Sequence, residues 1–127
     1  NIIDRVSFAS GSQDAADVGD LTQATNANTG ASSAEHGYSM GGHNASAATN
    51  VISRFAFAST ANAADVGDLL GSKYNGEGMS STTHAYYMGA SVSYLDTVER
   101  TAFASSANGA DVGNLLVALA HLGGTEI

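Results

Sequence analysis

The stretch that decides the fold covers residues 51–69 and reads V-I-S-R-F-A-F-A-S-T-A-N-A-A-D-V-G-D-L. Its first half alternates large and small side chains, which is the period of a strand that buries one face. The middle, S-T-A-N-A-A, is small and polar and predicts a turn. The final D-V-G-D-L predicts a turn and a short strand, in which Gly67 takes backbone angles that other residues resist.

The same stretch occurs three times along the chain. The copy from Ile3 reads I-D-R-V-S-F-A-S and then A-A-D-V-G-D-L, and the copy from Val98 reads V-E-R-T-A-F-A-S and then G-A-D-V-G-N-L. Equivalent positions lie about 47 residues apart, a period typical of repeat architectures. We therefore predict one repeat domain, 1–127, with repeats at 1–50 and 51–97 and a partial third repeat at 98–127.

A second block lies between these copies and occurs twice. S-S-A-E-H-G-Y-S-M-G-G begins at Ser32, and S-T-T-H-A-Y-Y-M-G-A begins at Ser81. Both read as strands closed by small residues. The polar linkers 23–31 and 71–78 predict exposed loops, and residues 115–122 carry one competing signal for a short helix. The sequence thus predicts an all-β protein.

Large core-forming side chains are scarce in this chain. It is 43% hydrophobic and within the globular range, but much of that fraction is alanine and only 7% of the residues are aromatic. We predict a repeat core of Phe8, Phe57, Phe103, Tyr38 and Tyr86. A unit with so few bulky side chains must bury its faces against copies of itself.

Charge and composition exclude several classes of partner. The net charge is -8, from 12 acidic and 4 basic residues, whereas binding to nucleic acid or an anionic membrane requires clustered cations. No apolar run approaches the roughly 18 residues that span a bilayer. We expect no nucleic-acid partner and no membrane insertion. Because the first residue is Asn1, we expect a processed chain or a piece of a longer one.

Three of the four cations occupy one repeat position. They are Arg5, Arg54 and Arg100, and acidic residues recur at the same period. A guanidinium suits bidentate pairing with a carboxylate. We therefore predict structural clasps within or between repeats, in which the arginines pair with Asp17, Asp20, Asp65, Asp68 and Asp111.

Catalytic and metal-binding patterns are weak. The recurring Asp-x-x-Asp pairs lack the dense oxygen ligands of calcium loops, and a recurring histidine such as His36 or His84 is more often a packing residue. No G-x-S-x-G motif occurs. We predict no catalytic residues, no metal site and no cofactor. Loops carrying Tyr74, Asn75 and Tyr94 have a composition suited to adaptable polar recognition, such as sugar binding.

The repeat also resembles a known family. The pattern N-V-I-x-R-F-x-F-A-S-x-x-N-A-x-D-V-G-D-L, followed by S-S-T-T-H-G-Y-x-x-G-G, resembles a kelch-like repeat of structural and tail-fibre-like proteins of tailed bacteriophages, particularly those of cyanobacteria and marine bacteria. The resemblance covers nearly the whole chain. The second H-x-Y block departs from it, with Ala85 and Ala90 where the pattern has glycine.

What the resemblance implies is a β-propeller blade and a place on the virion exterior. Since fewer than three blades cannot close a propeller, we expect completion by oligomerisation or by a longer parent chain; a β-trefoil or another three-repeat β fold is the alternative. The expected function is a non-enzymatic scaffold that also contacts host-surface glycans. The alternative is a secreted, extracellular lectin-like or filament-forming β-repeat protein.

Overall fold

The protein is described by a computed structural model that covers residues 1–7, 9 and 14–121. Ten β-strands follow one another along the chain: β1 (Ile2–Arg5), β2 (Ala16–Asp20), β3 (Thr29–Ser32), β4 (His36–Met40), β5 (Val51–Ala56), β6 (Ala64–Asp68), β7 (Glu77–Ser80), β8 (His84–Ala90), β9 (Leu95–Ala102) and β10 (Ala110–Asn114). The all-β prediction is confirmed. Among the residues covered, no helix has the length and apolar character needed to cross a membrane.

The strands form three antiparallel sheets. Sheet 1 pairs β1 with β2, sheet 2 has the order β3-β4-β5-β6, and sheet 3 has the order β7-β8-β9-β10. Within each sheet the strands pair in their sequence order, so sheets 2 and 3 are simple meanders. Within the covered part of the chain the strands close neither a barrel nor a propeller ring, so both the predicted propeller and the β-trefoil alternative stay predictions.

Each four-stranded sheet joins the two sequence blocks in a fixed order. The H-x-Y block supplies the second strand, the V-I-x-R block the third, and the D-V-G block the fourth. The first strand comes from the linkers that we expected to be exposed loops. That expectation is wrong for residues 29–31 and 77–78, which lie in β3 and β7, and within the two linkers Thr29, Ala31 and Lys73 are buried.

The D-V-G segments form β-bulges. In sheet 2, Ile52 pairs with Gly67 and Ser53 pairs with Asp65, which leaves Val66 as the extra residue. The same shift occurs in sheets 1 and 3. Gly67 has a φ of 150°, an angle that side chains disfavour, so the predicted backbone role of this glycine is confirmed.

The segment after β10 is not a helix in its described part, residues 115–121. Its backbone instead bonds to neighbouring segments: the N–H groups of Leu115 and Leu119 donate to the carbonyls of Asp96 and Leu95. Its last described residue, His121, has a φ of 57°, outside the helical range. Tertiary pairing therefore overrides the helical pattern of this run.

The core lies between sheets 2 and 3. Its nine buried hydrophobic residues are Ala31, Tyr38, Met40, Ile52, Val66, Leu69, Ala85, Tyr87 and Ala90, and Phe103 packs against them. The predictions for Tyr38 and Phe103 are therefore confirmed. Phe57 is 43% exposed and does not belong to the core, while Phe8 lies outside the described residues.

The prediction for Tyr86 is wrong, because the buried tyrosine of β8 is its neighbour Tyr87. Successive residues of a strand point to opposite faces. Tyr86 lies on the face of sheet 3 that corresponds to the face of sheet 2 carrying Tyr38. Phe103 covers Tyr38 in sheet 2, whereas no described residue covers Tyr86 in the same way.

Candidate assembly interface

Sheet 2 packs against sheet 3 through one face, which we name the downstream face because sheet 3 follows it in sequence. Tyr38 and Met40 alternate in β4, and Ile52 pairs with Met40 in β5, so these three side chains share that face. The ring of Tyr38 packs on Phe103, with centroids 5.0 Å apart. We name the opposite side of each sheet its upstream face.

A turn that contains asparagine holds each sheet to the one before it. Asn108, in the turn before β10, accepts a hydrogen bond through Oδ1 from the Asp68 N–H at 3.0 Å, and the Gly109 N–H donates to the Asp68 carbonyl at 2.7 Å. One repeat earlier, Asn62 Oδ1 accepts from the Asp20 N–H at 3.1 Å. We name these segments, residues 59–63 and 105–109, the Asn turns. Each Asn turn forms hydrogen bonds with the backbone of the last strand of the preceding sheet.

The bulge glycines allow this close approach. A Cβ added to Gly67 would lie 2.5 Å from the carbonyl oxygen of Ala107, and one added to Gly19 would lie 2.8 Å from that of Ala61. Both carbonyls belong to the Asn turn of the next sheet. The glycines therefore serve contact between sheets as well as the bulge.

Replacing Asn108 by alanine is expected to lower the free energy of unfolding by about 1 kcal/mol. The change removes the acceptor of the Asp68 N–H and leaves that donor without a protein partner. Urea unfolding measures the effect, and Asn44→Ala, in a turn within sheet 2's β4–β5 connection, tests whether losing any turn asparagine costs as much. Hydrogen exchange in the native state reports on the Asp68 amide itself. If both variants reduced its protection from exchange equally, the hydrogen bond from the Asp68 N–H to Asn108 would be contradicted.

A buried ion pair reinforces the second interface. Lys73, between β6 and β7, pairs with Glu99 in β9, and both side chains are almost completely buried. The second carboxylate oxygen of Glu99 accepts from the Leu70 N–H at 2.8 Å. The pair thus ties the segment that leaves sheet 2 to the upstream face of sheet 3.

Tyr87 lies beside this pair on the same face. Burial raises the pKa of Tyr87 to about 12; the hydrogen bond from the Gly76 N–H opposes the rise, and the Glu99 carboxylate adds to it. The folded chain therefore keeps the phenol proton where the unfolded chain, with a pKa near 10, releases it.

This difference predicts a loss of stability at high pH. The contribution of Tyr87 is fully present below pH 10 and is lost as the pH rises to about 12, with a total on the order of 2 kcal/mol. Urea unfolding at successive pH values measures it, with Tyr87→Phe as the control that lacks the ionisable group. Equal slopes for the two proteins above pH 10 would contradict the prediction.

The predicted arginine clasps are wrong as ion pairs. Among the described residues no arginine lies within 4.0 Å of a carboxylate oxygen, and the one ion pair there is Lys73 with Glu99. Register explains this: Arg54 pairs with Ala64, and Asp65 with Ser53, so Arg54 and Asp65 face opposite sides of the sheet. Sheets 1 and 3 repeat the arrangement with Arg5 and Asp17, and with Arg100 and Asp111.

The aspartates and Arg5 have other partners. The first aspartate of each D-V-G segment accepts from the glycine N–H two residues later, at 3.0 to 3.1 Å, in Asp17, Asp65 and Asp111. Asp20 and Asp68 contribute their backbone groups to the Asn turns. Arg5 Nη1 donates to the carbonyl of Phe57 at 2.9 Å, a contact from sheet 1 to the turn of sheet 2.

The predicted ligand loops are partly brought together. Tyr74 packs edge-on against His43, and Asn75 Nδ2 donates to Ser91 Oγ at 3.2 Å, at the start of the turn that contains Tyr94. Tyr94 is 67% exposed. Asn75 also donates its backbone N–H to the carbonyl of Ala27, one repeat earlier, so it has a structural role between repeats.

A separate open groove of about 340 Å³ lies between sheets 2 and 3. It is lined by Glu35 and His36 from one sheet and by Thr82, Thr83 and Phe103 from the other. Thr83 Oγ1 lies 2.7 Å from His84 Nδ1. No cluster of three metal-ligating side chains occurs among the residues that the structure describes.

The downstream face of sheet 3 repeats that of sheet 2 but is left uncovered by the described residues. Val66 is 8% exposed, whereas its equivalent Val112 is 44% exposed. A Cβ added to Gly113 would meet no atom within 4 Å. The other equivalents are also less buried than in sheet 2, namely Tyr86, Met88, Val98 and Leu115.

Comparisons with models of known protein families and with curated proteins found no match for this chain. Its class therefore rests on the fold and the interface. These define an all-β chain of antiparallel sheets in which sheets 2 and 3 pack face on face and the same Asn-turn contact recurs between successive sheets.

Sequence reasoning missed the residues that form this contact. Asn62 and Asn108 recur one repeat apart, and that recurrence was the available signal. For the ion pair the signal is a departure from the repeat: Glu99 stands where Ser53 occurs one repeat earlier, and Lys73 is the single lysine of the chain.

Proposed function

We propose that this chain is a non-enzymatic structural repeat protein, a scaffold whose units are held by their neighbours. The observation that carries the proposal is the recurring Asn turn, which satisfies the Asp20 and Asp68 backbones in the same way at two successive interfaces. The recurring polar side chains hold backbone in place: Asp65 bonds Gly67, and Ser81 bonds the His84 N–H. These residues thereby have structural tasks that repeat along the chain.

The propeller-like arrangement belongs to the same proposal. Sheets 2 and 3 are four-stranded meanders, and their first strands, β3 and β7, lie against each other. A Cβ on Gly78 would overlap the Gly30 carbonyl oxygen, so glycine permits this approach. Propeller blades likewise bring their first strands together near an axis. Closure would require further units from other chains or from a longer parent.

Resemblance to tailed-phage repeats supports a place on the virion exterior, as part of a tail fibre or another exterior component. In that position host-surface glycans are the expected ligands. The groove between sheets 2 and 3 combines the Phe103 ring with Glu35, His36 and Thr83, which is the mixture of apolar surface and polar groups that sugars require.

A glycan array with competition by free sugar tests the adhesive part. Binding that is lost in Glu35→Ala and retained in Tyr94→Ala would assign it to the groove, and the reverse result would assign it to the turn of Tyr94. No binding, together with ordered assemblies in electron micrographs, would leave a scaffold alone. Hydrolysis of a surface polysaccharide by the purified chain would contradict the non-enzymatic proposal.

A further inference from the structure

We infer that the downstream face of sheet 3 docks the N-terminal hairpin of a second copy of this chain, head to tail. The inference rests on the proposed scaffold role and adds to it a defined surface and a defined partner. The surface is centred on Val112 and Gly113 in β10. The partner segment is the β1–β2 hairpin, of which the strands Ile2–Arg5 and Ala16–Asp20 and the residue Asp14 carry the contact.

The proposed contact continues one that occurs twice within the chain. The Asn turn of sheet 2 contacts the D-V-G strand of sheet 1, and the Asn turn of sheet 3 contacts that of sheet 2. Sheet 3 presents the D-V-G strand a third time with all five residues of β10 exposed. In β6 the bulge valine of this strand is buried, so the same sequence has a covered state and an uncovered state within one chain.

The hairpin of a second copy offers the complementary groups. Asp14 precedes β2 at the position that Asn62 and Asn108 take before β6 and β10. Its carboxylate can accept from the Asn114 N–H as those amides accept from Asp20 and Asp68. Asp14 is exposed, and so are Asp4 and Val6, which occupy the positions of Glu99 and Thr101 in sheet 3.

Charge favours the same pairing. Arg100 is exposed and shares the downstream face of sheet 3, because it pairs with Tyr86 in β8. In the hairpin, Asp4 takes the strand position that Glu99 takes on the upstream face of sheet 3, and Asp14 is exposed before β2. The two surfaces are different parts of the molecule, so the contact is heterologous and builds a ring if its rotation closes and a filament if it does not.

Sedimentation velocity from micromolar to millimolar protein is the first test. We expect the mass to rise with concentration, and Val112→Lys to raise the dissociation constant by about tenfold or more, because docking would bury a lysine. Val92→Lys is the matched control, since Val92 is 41% exposed in the β8–β9 turn and outside this face. A concentration-independent monomer, or equal weakening by both variants, would overturn the proposal.

Cross-linking locates the contact. The chain has no cysteine, so Asp14→Cys/Asn114→Cys should give a ladder of disulfide-linked multimers on oxidation. Asp68→Cys/Asn108→Cys calibrates the geometry within one chain, because it joins the equivalent pair at an established interface. Asp14→Cys/Val92→Cys should give no ladder. A closed disulfide in the calibration variant without a ladder in the test variant would reject the docking site.

The two proposals fail separately. Suppose that Asn108→Ala lowers the stability of the monomer, while the unmodified chain does not associate and Asp14→Cys/Asn114→Cys forms no ladder. The docking surface is then rejected and the repeat scaffold stands. If Val112→Lys lowers the unfolding free energy of the monomer, that valine is covered within its own chain and the docking surface is also rejected. If Asn108→Ala has no effect on stability, the scaffold proposal itself fails.

Discussion

Replacing Gly67 by alanine is expected to lower the free energy of unfolding by about 3–5 kcal/mol, against about 1–3 kcal/mol for the same change at Gly113. Both glycines have a φ of 150°, so the backbone strain of adding a Cβ is the same at both. Only at Gly67 would the Cβ also meet the Ala107 carbonyl oxygen, at 2.5 Å. The difference between the two variants therefore measures the contact between sheets.

Urea unfolding of the two variants gives this difference directly. Gly19→Ala serves as a second test, because its Cβ would lie 2.8 Å from the Ala61 carbonyl oxygen at the other interface. We expect its loss to exceed that of Gly113→Ala. Equal losses at Gly67 and Gly113 would show that backbone strain alone sets the cost and that the sheets do not press on these glycines.

Replacing Lys73 by methionine is expected to lower the free energy of unfolding by about 3–5 kcal/mol. The change leaves the Glu99 carboxylate buried, with the Leu70 N–H as its remaining charge-stabilising partner. Burying an uncompensated charge is costly, whereas replacing both members of such a pair with apolar residues is often neutral. The double variant Lys73→Met/Glu99→Met should therefore recover most of the loss.

A double-mutant cycle in urea measures the coupling between the two side chains. We expect the double variant to be more stable than either single variant. It should remain about 1 kcal/mol less stable than the unmodified chain, because the hydrogen bond from the Leu70 N–H to Glu99 is lost. The matched control is Thr25→Met, because Thr25 is the residue one repeat earlier that corresponds to Lys73. Thr25 lies four residues after Leu21, and Lys73 lies four residues after Leu69. Losses in the two single variants that simply add would contradict a buried, coupled pair.

Much of the architecture follows from the period of the sequence. Alternation in V-I-S-R-F-A and the glycine of D-V-G predicted strands β5 and β6, because both signals are local. The first strands were missed for a physical reason: Thr29–Ser32 and Glu77–Ser80 are short and rich in small or polar residues, and their burial comes from packing against each other. The composition of either segment alone therefore cannot predict that contact.

The arginine prediction failed because matching periods do not fix the direction of side chains. Arg54 and Asp65 recur together, yet a strand alternates its faces and the bulge at Val66 shifts the register. Tyr86 and Tyr87 make the same point within one strand. Which tyrosine is buried depends on the neighbouring sheet, and that neighbour is present on one side of sheet 3 among the described residues.

The stability of a chain that ends at Gly76 shows directly whether sheet 2 is held by sheet 3. Such a chain keeps β1 to β6 but lacks sheet 3, so Tyr38, Met40 and Ile52 lose the surface that buries them. We predict that it shows no cooperative unfolding transition in urea or on heating. A transition with the same midpoint as the full chain would contradict the claim that each sheet is held by the next.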